Sequence, residues 1–415
     1  MTDATSAPSR YPWRLVGLLW LVSFVNAADR SIFNTVKPLL RTAFGVTDVQ
    51  LGLIDTTFFW VYAVCAFLFG RLGDSVRRRN MIIGGLLFWS LATGIMPLAT
   101  GFAMLLGLRG LVAVGESTYY PSATALISAW HRPQMRSRAL SIHQTAVFVG
   151  AGLGGWVAGK LADAHGWAAP FMVFAALGFI VLMLLLRWLR DDAPVAARPA
   201  TAVSAEPLRL ILANPAALLL CGVFFLATAA SSAVLNWSNT YAHDALGLDL
   251  ADSALVGPVA IAAAGFVSVL TGGWLADRLV ARSSLGRFTV LAAGLGIAAM
   301  FLLPFPQART AGQVGLLLFA ASFGKGLFDG CVYAAMHDVM PDAARATAAG
   351  LMTMLGFIGA GVATVLLPLI AVRSGLAAGF AMLAGLYLLA VVALLAGRPL
   401  VARVIARQAG DAAGA

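Results

Sequence analysis

The chain has 415 residues, of which 60% are hydrophobic and only 11% charged, and its mean hydropathy is +0.87; soluble domains are roughly half apolar and a quarter charged, so a soluble globular fold is excluded. A net charge of +10 does not point to a nucleic-acid partner either, because the basic residues fall between hydrophobic runs and do not gather on one solvated face. What remains is an all-α integral membrane protein whose first partner is the lipid bilayer.

A helix needs about 20 apolar residues to cross a hydrocarbon core of ~30 Å. Runs of that kind fall near 13–35, 51–70, 80–99, 102–127, 138–160, 167–189, 212–238, 251–276, 287–304, 312–338, 346–370 and 375–397, which predicts twelve spans. The second, eighth and eleventh are rich enough in small residues to predict kinks. With the N-terminus inside, 20 of the 28 Lys and Arg lie in inner segments and five in outer ones, while Arg30, Arg109 and Lys325 lie within spans. That asymmetry predicts a multi-pass protein of the cell (inner) membrane with both termini cytoplasmic. The first span also fits a secretory signal peptide ending at "VNAAD", but cleavage would leave eleven spans and place the arginine-rich loops outside. Cys65, Cys221 and Cys331 sit in separate apolar runs without CxxC spacing and read as packing residues.

The first span carries Asp29 and, ~100° around the helix from it, Arg30. Asp55, near the outer end of the second span, reads as a helix-start cap or as a gate partner for Arg30 or Lys37. "GRLGDSVRRR" follows, with Gly70, Asp74, Arg78 and Arg79. In the fourth span Arg109 and Glu116 are seven residues apart, two turns less about 20°, so they share one helix face. A lone charge facing lipid at mid-depth costs at least ~2.5–3.5 kcal/mol, so that face looks into the protein or a watery cavity. Asp29 and Arg109 each lie about seven residues from the outer end of their predicted spans, roughly 10 Å deep. The prediction is a cluster of Asp29, Arg109 and Glu116. Tyr119 and Tyr120 come directly after it, and together with Phe58, Phe59, Trp60, Tyr62, Trp237 and Tyr333 they are candidates for an amphipathic pocket or for core packing. His143, in the fifth span, reads as a packing residue or a titrating one, and Gly150, Gly154, Gly155 and Gly159 have small-residue packing spacing.

Residues 190–210 are the one long polar, Pro- and Ala-rich interval, a linker between halves 13–189 and 211–398. Beyond it, "GWLADRLVAR" repeats the earlier loop: Gly273, Asp277 and Arg282 match Gly70, Asp74 and Arg79 at a constant offset of 203, as in a duplicated bundle. In both copies the glycine permits close helix contact, and the arginine can bridge to a carboxylate or a helix C-terminus, latching one conformation. Lys325 and Asp329 in the tenth span are four apart and can pair along one turn, either as a second-half substrate site or as a neutralised structural pair. His337 and Asp338 end that span beside Pro341 and read as part of the same latch.

The two G-x-x-x-D-x-x-x-x-R loops, twelve spans and a central linker resemble the major facilitator superfamily over roughly residues 13–400. "ADRSIFNTVKPLL", "RGLVAVGES" and "RSRALSIHQTAVFVGAGLGGWVAG" look most like the spinster-like family, while the Arg, the Glu and "Pro121 … Trp130" are shared with some organic-anion symporters. The resemblance implies two pseudo-symmetric six-helix bundles, with acidic residues at the positions of Asp29 and Glu116 acting in proton coupling and an arginine controlling them or binding an anion.

Desolvation and a neighbouring guanidinium act in opposite senses on a carboxylate, so such a group can exchange a proton as its surroundings change. The expected activity is therefore secondary active transport by alternating access, with two candidate substrate classes: lysolipid- or sphingoid-like anions, or small organic and sugar acids. Arg109, Lys325, Asp329, Tyr119, Tyr120 and Trp237 are the expected substrate contacts, and Arg30 and Asp55 join the two loop motifs as gating residues. The proton gradient would supply the energy, with no cofactor or metal, and a monomer is expected. A channel would show a pore loop or charged rings, and an enzyme a nucleophile–base or metal constellation; neither pattern stands out in the sequence.

Overall fold

The computed structural model describes residues 11–72, 76–190, 206–341 and 344–413. Asp74 lies outside them. The first half consists of α1 (Tyr11–Phe44), α2 (Asp48–Leu72), α3 (Arg78–Ile95), α4 in two pieces (Phe102–Ser117 and Tyr119–Trp130), α5 (Pro133–His165) and α6 (Ala168–Trp188). The second half consists of α7 (Pro215–Leu246), α8 (Leu250–Ala254 and Ala260–Val280, joined by the π turn Leu255–Val259), α9 (Gly286–Leu302) and α10 (Ala311–Asp329 and Val332–Val339). It closes with α11 (345–374) and α12 (376–396), which are continuous in hydrogen bonding, but Gly375, at φ +77°, reverses the chain between them. Short helices Glu206–Leu212 and Arg398–Ala413 lie in the linker and at the C-terminus. Among the described residues twelve helices cross the molecule, as the hydropathy pattern predicts.

Two crossings are broken where composition does not predict it, and both breaks fall at mid-depth. In α4 the break at Thr118 has a local cause: Pro121 has no N–H to give the Ser117 carbonyl, so the helix cannot run through. In α10 the break at Gly330 and Cys331 accompanies close packing on α8, where a Cβ on Gly330 would lie 2.4 Å from the Val269 carbonyl oxygen. The expected kink in the eighth span is the π turn around Pro258.

Call the side bearing the linker the terminal face, and its opposite the far face. Contacts between the halves begin at the far face and run to mid-depth. There Lys37 Nζ on α1 donates to the Asn236 carbonyl (2.9 Å) on α7, and Arg41 pairs with Asp244 (2.8 Å). The Asp163 carboxylate on α5 accepts the Leu250 and Ala251 N–H groups (both 3.0 Å), capping the start of α8 from across the interface. Thr56 on α2 donates to the Gly361 carbonyl (2.7 Å) on α11, and Tyr62 stacks on Phe357 (centroids 4.8 Å) near mid-depth. Deeper still, several groups bond within their own half: Tyr120 to Gln144 (3.1 Å), Tyr333 to Thr353 (2.9 Å), Arg79 to Leu189 O (2.8 Å) and Arg287 to Asp338 (2.6 Å). Tyr120 and Tyr333 are exposed from opposite halves. Among the described residues, these hydrogen bonds, ion pairs and ring contacts between the halves lie from the far face to mid-depth, and these groups nearer the terminal face bond within their own half.

Candidate functional site

Helix lengths fix the depth of each charge, and depth decides the pairing. Lys37 is seven residues before the end of α1, Asp55 seven after the start of α2 and Arg109 seven after the start of α4. All three therefore sit about 10 Å below the far ends of their helices. They form an upper tier: Lys37 Nζ to Asp55 2.6 Å, Arg109 to Asp55 3.9 Å. Arg30, Tyr62 and Glu116 are each fourteen residues from the same ends, about 21 Å down. They form a lower tier, in which Arg30 Nε meets Glu116 Oε2 at 2.6 Å and its guanidinium lies over Tyr62 (4.7 Å) and Phe58 (5.1 Å).

This differs from the predicted trio. The apolar run ends the first span near 35, which levels Asp29 with Arg109; α1 runs on to Phe44, so Asp29 and Arg30 drop to the level of Glu116. Asp29 turns toward α3 and accepts a bond from the Thr93 hydroxyl (2.6 Å), staying within electrostatic reach of Glu116, Arg109 and Arg30. Arg109 leans toward the N-terminus of α4, as helical side chains do, and so away from Glu116 and up toward Asp55. Its guanidinium lies over Phe58 (4.3 Å) and Phe33 (5.0 Å).

The six groups Asp29, Arg30, Lys37, Asp55, Arg109 and Glu116 comprise three cations and three carboxylates, a set whose formal charges cancel when all are ionised. Burial demands such balance, since an uncompensated charge in a low-dielectric interior is costly. Five of the six are buried; the Arg30 side chain alone keeps 29% of its surface exposed. Glu116 and the Asn26 amide lie beside each other in the buried cluster.

In the second half Lys325 and Asp329 pair along α10 (2.6 Å), and Asp329 keeps 38% of its side chain exposed. Of the aromatic candidates, Tyr120, Tyr333 and Trp60 are exposed. Tyr119 is buried, its hydroxyl donating to the Leu19 carbonyl and bonded to His143 Nε2 (2.7 Å). Trp237 is buried too: its indole N–H donates to the Thr364 carbonyl (2.9 Å) and Lys37 Nζ sits over its ring (4.3 Å). It lies toward the far face and is fully buried.

The two loop motifs are built differently. Gly70 lies in the last turns of α2, and Arg78 and Arg79 open α3, where Arg79 reaches the carbonyls of Leu186 (3.3 Å) and Leu189 (2.8 Å) at the end of α6. Gly273 packs beside the Gly330 carbonyl. Asp277 faces Arg287 (3.6 Å), not Arg282, which lies in the loop after α8. The correction follows from helix position: Arg287, like Arg79, is the second residue of its helix, whereas the constant offset pairs Arg79 with Arg282. Arg287 also holds Asp338, joining α9 to α10. Sequence reasoning missed Thr93 and the cross-half cap by Asp163, which no local spacing signals.

The chain matches the Major Facilitator Superfamily over residues 19–364. It belongs to that superfamily. The hexuronate transporter of Bacillus subtilis is 26% identical over 403 residues, which cover 92% of this chain and 94% of that protein. Protein spinster homolog 1 of Homo sapiens is 37% identical over 180 residues, 43% of this chain and 34% of that protein. Among solved structures, a bacterial homolog to the human lysosomal transporter spinster, in an inward-facing and unoccupied conformation, superposes with a TM-score of 0.79 at 20% identity, covering 96% of this chain and 98% of that one. That likeness carries the fold. The protein is thus a multi-pass membrane protein of a transporter superfamily, related in sequence both to an anion carrier and to spinster proteins.

Proposed function

We propose that the protein is a proton-coupled transporter of organic anions, working by alternating access between its two halves. The observation that carries this reading is the Arg30–Glu116 pair (2.6 Å), in which the one partly exposed cation of the buried cluster is occupied by a carboxylate on another helix. A proton added at Glu116 removes the charge that holds Arg30. The guanidinium is then free to take a carboxylate or phosphate of the substrate in the same fork geometry. Charge counting favours coupling: the ionised cluster is neutral, so a monoanion enters a buried site without net charge when one proton enters with it. Asp29, one residue away and within reach of the same cations, is the second proton acceptor. Tyr120, Tyr333 and the Lys325–Asp329 pair supply polar contacts on the open side of the site. The upper tier, with Trp237, closes the far face behind the substrate.

The Lys and Arg excess on the terminal face supports placing that face in the cytoplasm, and in this reading the described state is open inward. No cofactor enters the scheme, which needs only the two halves of a single chain. For the substrate, the full-length similarity to a hexuronate transporter favours a small hydroxylated acid. The higher identity to a spinster protein over a shorter stretch favours a lipid-like anion.

Proteoliposomes separate these readings. Under an inside-alkaline gradient, a radiolabelled hexuronate or a lysophospholipid should accumulate and be released by a protonophore. Uptake of either that ignores the gradient in the wild type overturns proton coupling; conductance without saturation would point to a channel.

A further inference from the structure

Between α9 and α12, on the outer surface of the second half, lies a groove of about 280 Å³ that plays no part in the charge cluster. Thr289, Ala292 and Ala293 form one wall, Val391 and Leu395 the other, and Arg398 stands at its end. From Val391 to Arg398 is seven residues, so the groove runs roughly 10 Å along the helices, parallel to the acyl chains of the surrounding lipid. The space has a sequence cause: α9 presents alanines where its neighbour presents branched side chains.

Arg398 is the first residue of the terminal helix, just past the Gly397 cap of α12, which puts it at the membrane surface of the terminal face. It is exposed, and among the described residues it has no hydrogen bond, ion pair or ring contact. Other arginines of that face are engaged: Arg79 on helix-end carbonyls, Arg287 on Asp338, Arg345 on the His337 and Met340 carbonyls. Arg403 and Arg407, exposed further along the terminal helix, add positive charge to the same surface.

We infer that this groove is a binding site for one anionic phospholipid of the terminal-side leaflet, its phosphate on Arg398 and one acyl chain between α9 and α12. A guanidinium at headgroup depth with no protein acceptor has a matching partner in a lipid phosphate, which takes its planar fork bidentately. The apolar slot beneath it supplies what a free phosphate lacks. Occupancy ties α9 to α12 two residues from Arg287, the side chain that joins α8, α9 and α10 at this face.

Native mass spectrometry of the full chain tests this, with phosphatidylglycerol and phosphatidylcholine of identical chains as probes. The wild type should retain one phosphatidylglycerol at least about fivefold more than phosphatidylcholine, a difference of ~1 kcal/mol. Arg398→Gln should remove most of that preference. Ala293→Phe fills the slot while leaving the charge in place, and should lower retention of phosphatidylglycerol by about the same factor; it keeps the test decisive if the arginine variant does not fold. Retention unchanged in either folded variant, equal retention of the two lipids by the wild type, or displacement of phosphatidylglycerol by millimolar glycerol phosphate would each overturn the proposal.

Discussion

Helices α4 and α10 occupy corresponding places in the two halves, and they are cut to one plan with different chemistry. Glu116 and Tyr120 correspond to Asp329 and Tyr333 at a single offset of 213. Each acid stands at or next to the end of the upper piece, each helix breaks immediately after, and each tyrosine hydroxyl bonds to the next helix. The partners of the acids differ. Glu116, fully buried, is held by Arg30 from α1; Asp329, 38% exposed, is held by Lys325 four residues back on its own helix. A pair within one helix moves as a unit and reports nothing about its neighbours. A pair between helices is made or broken by their relative motion, and the free energy of that change can be linked to a proton or an anion. In the proposed mechanism the duplicated scaffold thus carries one charge relay, in the first half, and one polar wall, in the second.

The sharpest way to break that contrast is to neutralise the two acids separately. Glu116→Gln, a neutral isostere, should abolish gradient-driven accumulation while leaving substrate exchange, a loss on the order of 100-fold if the coupling is worth ~3 kcal/mol. Asp329→Asn should weaken binding by about tenfold or less and keep accumulation proportional to the gradient, because it removes polar contacts without touching the relay. Asp29→Asn should fall between them, since its carboxylate already has Thr93 as a partner. Parallel proteoliposome assays of accumulation and exchange measure all three. Equal loss of coupling in Asp329→Asn and Glu116→Gln would erase the distinction between the halves.

A second contrast runs along α5, whose glycines face two different surfaces. A Cβ on Gly154 would come within 2.5 Å of Ala28 in the same half; one on Gly159 would come within 2.6 Å of Ala251 in the other. Overpacking costs ~1–3 kcal/mol wherever the backbone cannot yield. For Gly154→Val that cost falls on folding and should appear as a lower melting temperature. For Gly159→Val it can be relieved by parting the halves, so the population should shift toward a state open at the far face. A reporter thiol reads that shift: with the native cysteines replaced, Ala242→Cys, at a position buried in this state, should react with an impermeant maleimide about tenfold faster when combined with Gly159→Val, the factor for ~1.4 kcal/mol. An unchanged rate would mean that the Gly159 contact does not limit opening.

Much of this was legible in the residues. Apolar runs located all twelve crossings, because a bilayer imposes both length and composition. The same reading placed Arg109 and Glu116 on an inward face and paired Lys325 with Asp329, since both inferences depend on spacing within one helix. Pairing between helices was not legible. It depends on where helices end, and α1 outruns its most apolar stretch by nine residues, through Lys37 and Pro38, which are buried in protein, and Arg41, which is paired with Asp48 and Asp244. An error of nine residues shifts depth by about 14 Å, enough to assign Asp29 to the wrong tier and to leave Arg30 outside the cluster. Hydropathy measures contact with lipid, so it underestimates any helix whose polar end is buried against other helices.

The smallest expected effect concerns the terminal-face latches. If sequence offset defined the latch, Arg282 would matter; if helix position defines it, Arg287 does. Arg287 touches Asp338 at 2.6 Å and Asp277 at 3.6 Å, but its side chain is 20% exposed and those of its partners 26% and 79%. Solvent screens such pairs, so Arg287→Gln should cost only ~1 kcal/mol, and for a chain of this size the melting temperature should fall by about one degree. The loss should shrink at high salt, as expected of partly exposed charges. Arg282→Gln should leave the melting temperature at the wild-type value, because among the described residues it has no ion pair comparable to Arg287–Asp338. The reverse order of the two shifts in a thermal melt would show that the repeated motif, rather than the first turn of α9, holds the second half closed at this face.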